Sequence, residues 1–263
     1  ETAMIRWSRS VGAMLGFVLA LASTTAQSGD SSLSLSAGVE YTSGEYGGTE
    51  DIEDIYVPIT GTINFDNVAI SLTVPYLSFR APSGTTVTDP GGGPVPGSGP
   101  TIKESGLGDI VAGVTIYDVF LSDDRSVAVD LVGRVKFGTA DRDKGLGTGE
   151  EDFLLRADVY KFFDRFTLIG SGGYKLRGDP SDVDLDNGFL ASIGGSYEIS
   201  NDSSIGLFYD YRESSLQDSD ALSEVSLYSS HSLSESWYLQ LYVLAGFSDS
   251  SPDWGGGIVV STH

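Results

Sequence analysis

The most regular stretch of the chain runs from Asp152 to Arg177. In DFLLRADVYKFF, the apolar Phe153, Leu155, Ala157 and Val159 alternate with Arg156, Asp158 and Tyr160. After Phe163-Asp164-Arg165, the run FTLIGSGGYKLR sets Phe166, Leu168, Gly170, Gly172, Tyr174 and Leu176 on one face and Thr167, Ser171, Lys175 and Arg177 on the other. A period of two belongs to a strand with one apolar face, so this stretch predicts a hairpin. Segments of the same kind recur along the chain, about twelve in all. They are Leu33 to Thr42, Ile52 to Phe65, Val68 to Phe79, Asp109 to Phe120, Val127 to Phe137, the two arms of the hairpin, Phe189 to Ile199, Ile205 to Arg212, a weaker one around Val225 and Leu227, Trp237 to Phe247, and Trp254 to Val260. The 26 residues from Ala81 to Gly106 are rich in Pro and Gly and are expected to be loop rather than strand.

The connections alternate in length. Those at 66–67, 122–125, 164, 200–203 and 234–236 are tight, and those at 44–51, 81–106, 139–151, 178–187, 214–221 and 248–252 are longer. Short turns on one side, long acidic loops on the other and an even strand count are the plan of an outer-membrane barrel. The expected fold is therefore all-β, a transmembrane antiparallel up-and-down barrel of about twelve strands. A secreted β-sandwich or a water-soluble barrel is the competing reading, and in that case the apolar faces would turn inward. Gly inside many strands suits a curved or closed sheet.

Arg6 and Arg9 precede a short apolar stretch, Val11 to Ala22, and small residues ending Thr24-Thr25-Ala26. This reads as a secretory signal cleaved near Ala26, with Glu1-Thr2-Ala3 an upstream scar before Met4. Residues 27–263 then form one barrel domain. No later apolar run approaches the roughly 18 residues of a membrane helix, so any crossing is made by strands. With 37 acidic against 15 basic residues the net charge is −22, which argues against nucleic acid as a partner. The absence of Cys excludes disulfides and thiolate metal sites, and two His cannot assemble a zinc constellation. No cofactor is implied.

Three motifs carry a family resemblance. Ser105-Gly-Leu-Gly-Asp109-Ile110 opens a strand, Gly145-Leu-Gly-Thr-Gly-Glu150 precedes Asp152-Phe153, and the chain nears its end with Leu239-Gln-Leu-Tyr-Val-Leu-Ala-Gly-Phe-Ser-Asp-Ser-Ser-Pro-Asp-Trp254-Gly. Over roughly residues 100–256 the chain resembles the outer-membrane transporter family named for the MetA pathway of phenol degradation. The resemblance implies a Gram-negative outer-membrane barrel, inserted by the barrel-assembly machinery, with lipid and lipopolysaccharide around it. It also implies a channel or transporter for small solutes, aromatic or amphiphilic compounds among them. Such barrels finish on an aromatic residue, and Val259-Val260-Ser261-Thr262-His263 departs from that.

If the apolar face meets lipid, the polar face lines a lumen. Its candidate lining residues are Arg134, Lys136, Arg156, Asp158, Lys175 and Arg177 on one side, with Glu40, Asp54, Asp210, Arg212 and Glu224 elsewhere in the ring; Asp109 joins the second group. Two readings follow: a basic wall facing an acidic one, whose transverse field orients polar solutes, or charges that pair and close the interior. Ala81 to Gly106 is the candidate constriction, with an external flap as the alternative. His231 near Ser229, Ser230 and Ser232 suggests a rim lipid hydrolase, but strand geometry separates these side chains and no triad is expected. Asp182, Asp184 and Asp186 resemble a calcium loop whose Gly188 falls one place late and whose closing Glu is missing. The alternative to a channel is a closed barrel acting through its loops as a binding or structural protein. The chain is not expected to be an enzyme.

Overall fold

The computed structural model describes residues 31–89, 93–181, 183–217 and 219–262, so the signal-like segment lies outside the described residues. In order, the strands are β1 (Ser32–Gly44), β2 (Ile52–Asn64), β3 (Val68–Pro82), β4 (Thr86–Val87), β5 (Pro94–Val95), β6 (Thr101–Leu107), β7 (Val111–Leu121), β8 (Val127–Lys136), β9 (Asp152–Phe162), β10 (Phe166–Leu176), β11 (Gly188–Ser200), β12 (Ser203–Arg212), β13 (Leu222–Ser234), β14 (Trp237–Gly246) and β15 (Trp254–Thr262). Each wall strand is antiparallel to its neighbour, and β1 pairs β15 from Ser36↔Ser261 to Ser43↔Trp254, which closes the sheet on itself.

Two pieces share one place in this wall. β3 carries β7 against its lower half, Val68↔Ile116 to Thr73↔Val111, and β6 against its upper half, Tyr76↔Leu107 to Pro82↔Thr101. Gly108-Asp109-Ile110 steps between them, so the barrel has twelve wall positions, with β4 and β5 forming a separate small hairpin. This corrects the expectation of a single loop from Ala81 to Gly106. The Pro and Gly density that predicts a loop is confined to residues 82–100. Thr101 to Ser105 contains neither residue and is free to extend the ladder of β3.

The side chains are inverted relative to a water-soluble core. Leu155 is 66% exposed and Phe153 51%, whereas Arg156 is 7% exposed and Lys175 5%. The hairpin of β9 and β10 thus presents its oily face outward, and the other strands do the same, with Leu35, Ile59, Ile193, Leu207 and Val243 all exposed. Aromatic pairs mark both ends of this apolar band: Tyr41 with Trp254 at 5.2 Å and Tyr174 with Phe189 at 4.6 Å toward the long connections, and Phe163 with Phe166 at 6.0 Å beside a short turn. Apolar outside, polar inside and aromatic at both edges is the arrangement a bilayer selects.

Glycines make room for the rings of the lower interior. Phe208, Tyr228 and Tyr242 face inward, and each lies directly across the ladder from a glycine: Gly194, Gly206 and Gly257 respectively. A Cβ at any of the three would overlap the facing ring. The rings therefore pack close to the wall in a buried cluster with Ala128, Tyr160 and Ile169, which fills this part of the lower interior.

Candidate functional site

The upper half of the interior holds two groups of charge. On β8, β9 and β10 the side chains of Lys136, Arg156 and Lys175 are buried inside the ring, with Arg134 and Arg177 half-buried beside them. These cations do not stand open. Lys136 Nζ lies 3.1 Å from Asp109, 3.4 Å from Asp152 and 3.0 Å from the hydroxyl of Thr148. Lys175 Nζ lies 3.1 Å from Asp152 and 2.7 Å from Asp89. Arg156 grips Asp158 with two nitrogens, at 2.8 and 2.9 Å. Arg177 donates to the carbonyl of Asp186 at 2.5 Å. Asp109, assigned from the sequence to the opposite wall, belongs to this cluster instead, because the step between β6 and β7 turns it toward the top of β8.

Asp89 reaches Lys175 because its loop folds inward. Val87 donates its N–H to the carbonyl of Gly145 at 2.9 Å and is buried among Tyr56, Leu77, Phe79 and Leu146. Thus two long connections, 83–100 and 137–151, pack against the apolar upper wall of β2 and β3. The inward disposition of the segment is the observed one, not the external flap. Burial pushes the Asp89 carboxyl up, but Lys175, with Lys136 and Arg177, outweighs it and holds the group below the usual carboxylate range. Where the loops around 86–95, 142–148 and 180–185 meet, a cavity of about 300 Å³ opens, with Thr86, Val95, Arg142, Thr148, Pro180 and Leu185 among its walls.

The second group, on β1, β2, β12 and β13, is composed differently. Arg212 and Glu224 form an ion pair at 2.6 Å, and the hydroxyl of Tyr242 donates to Glu40. Asp54 Oδ1 and Asp210 Oδ2 are buried without a hydrogen-bond partner. Of the four carboxylates here, Glu224 is ion-paired with Arg212, and Asp210 also feels the charge of Arg156 from a distance.

The sequence alone did not single out Asp89 or Asp152, which bridge the basic group. The one available signal was that Asp89 is the only acidic residue between Ala81 and Pro100. Reading His231 beside its strand neighbours also missed its partner. Its Nδ1 lies 2.9 Å from the hydroxyl of Ser203, across the ladder on β12 near a short turn. Asp182 of the candidate calcium loop lies outside the described residues.

The sequence pattern of one protein family matches residues 25–262. The chain belongs to the family described as "Putative MetA-pathway of phenol degradation". The match extends well beyond the stretch that carried the resemblance. No curated protein matches the chain of this family member. Among solved structures, an outer membrane channel from Pseudomonas putida F1 superposes with a TM-score of 0.68 at 12% identity, covering 88% of this chain and 94% of that one. The KdgM porin superposes with a TM-score of 0.55 at 9% identity, covering 88% and 98% of the two chains. The NanC porin follows with a TM-score of 0.54 at 10% identity, covering 87% and 99%. At these identities the likeness is one of fold: this member of the MetA-pathway family has the architecture of outer-membrane barrels.

Proposed function

We propose that the protein is an outer-membrane channel through which small solutes pass by diffusion along a narrow, charged lumen, with aromatic or amphiphilic compounds among them. The observation that carries this reading is the inversion of the closed ring: aliphatic side chains cover its outside while ionisable ones fill its interior. Twelve wall positions stand between the filled barrels of about eight strands and the open porins of about sixteen. The buried cluster around Phe208 and Tyr228 narrows the path in the lower half. The description of the family and the channels and porins that share the fold support the same reading. On this view lipid and lipopolysaccharide surround the wall in a bacterial outer membrane, and Arg134, Lys136, Arg156, Asp158, Lys175, Arg177, Glu40, Asp54, Asp210, Arg212 and Glu224 line the path. The inward loop 83–100 is its constriction. Planar-bilayer recording tests the proposal. Steady current steps are expected, with larger steps after deletion of residues 85–98, and a silent bilayer from correctly folded protein would overturn it.

A further inference from the structure

The two charged groups of the interior do not balance each other. On the β8–β10 side, Arg134, Lys136, Arg156, Lys175 and Arg177 sit among Asp89, Asp109, Asp130, Asp152 and Asp158, with ion pairs tying Lys136, Arg156 and Lys175 to four of these acids. That wall is electrically near neutral. The loop that narrows the lumen takes part in this, since Asp89 arrives with it. On the other side Arg212 is already paired with Glu224, Arg156 acts on Asp210 only from a distance, and among the described residues no ion pair holds Glu40, Asp54 or Asp210. Glu40 receives a neutral donor, Tyr242, which stabilises its charge without cancelling it. The unpartnered oxygens of Asp54 and Asp210 are turned into the ring. Above both groups, the long connections hold Asp and Glu in excess, with Arg142 and Lys144 as the cations not already counted.

From this arrangement we infer that the channel selects by charge: it passes cations and solutes bearing an amino group in preference to anions of the same size, and Glu40, Asp54 and Asp210 set the preference. The inference rests on the channel reading above. A symmetric transverse field would orient a zwitterion without favouring either ion. A field with one wall discharged attracts positive charge along the other, and a low-dielectric cleft lined by one sign concentrates counter-ions.

The test is the reversal potential of the full-length protein in planar bilayers under a potassium chloride gradient, mildly alkaline so that carboxylates are ionised. Potassium is expected to permeate roughly tenfold better than chloride, a ratio of the size such focusing produces. The triple variant E40Q/D54N/D210N should bring the ratio close to one, while Glu235→Gln, on a short turn outside the ring, leaves it unchanged. Because the triple variant removes three buried charges at once, D210N alone provides a second readout, with a partial loss of selectivity. In liposome swelling, glucosamine should enter severalfold faster than gluconate. Open channels that show no cation preference, or a preference for chloride, would overturn this inference and leave the channel reading intact; folded protein that never conducts would overturn the channel reading itself.

Discussion

The inward loop is held at two points, and releasing both should undock it by a predictable amount. Val87 is 7% exposed among Tyr56, Leu77, Phe79 and Leu146. Returning a buried valine to water costs about 1.5 kcal/mol or more. Asp89 contributes a charge-assisted contact to Lys175 at 2.7 Å, worth about 1.5 kcal/mol at the low end because Asp152 still holds Lys175 when Asp89 is lost. V87S/D89N therefore weakens docking by about 3 kcal/mol, a shift of roughly a hundredfold in the docked-to-undocked ratio. The protein has no cysteine, so Thr88→Cys serves as a single reporter at a position that is 4% exposed. Labelling of that thiol by a bulky maleimide should accelerate roughly a hundredfold in the V87S/D89N background, since labelling tracks the open population when opening and closing are fast. Larger and noisier single-channel currents should accompany it. Labelling within about twofold of the parent, with unchanged conductance, would refute the two-point anchor.

Acidification should act on the same latch. Because the folded-state carboxyl of Asp89 titrates below its unfolded value of about 3.9, its contribution is complete above that pH and is lost as pH falls through the lower folded value, so loop opening should appear only in strongly acidic buffer and be absent in D89N. Gly206→Val should force the Tyr228 ring off the wall, costing about 1–3 kcal/mol and narrowing the lower lumen; heat-modified gel mobility and conductance read the two effects. Gly172→Ala, which meets nothing within 4 Å, serves as its control and should be neutral. Leu155→Arg or Leu241→Arg on the outer face should cost about 2–4 kcal/mol and reduce insertion into liposomes, because an unpaired charge then faces acyl chains. His231→Ala should leave conductance unchanged, since its Ser203 contact lies on the outer wall and not in the lumen.

The alternation of Phe153, Leu155 and Val159 with Arg156 and Asp158 determined by itself which residues share a face. Side-chain direction in a strand follows from position alone, so Glu40, Lys175 and Arg212 could be assigned to one surface without any knowledge of the sheet. The turn chemistry at Asp66-Asn67 and Phe163-Asp164-Arg165 likewise marked where strands reverse, and the connection lengths separated the two ends of the barrel. Local pattern carries no information about which distant groups meet. Closure of β1 on β15, the step at Gly108-Asp109-Ile110 that moves Asp109 to Lys136, and the descent of Val87 and Asp89 onto walls formed by β2, β3 and β10 are all set by contacts far apart in the chain. That is why the sequence could name the charges of the interior, while only the tertiary structure decided which of them cancel.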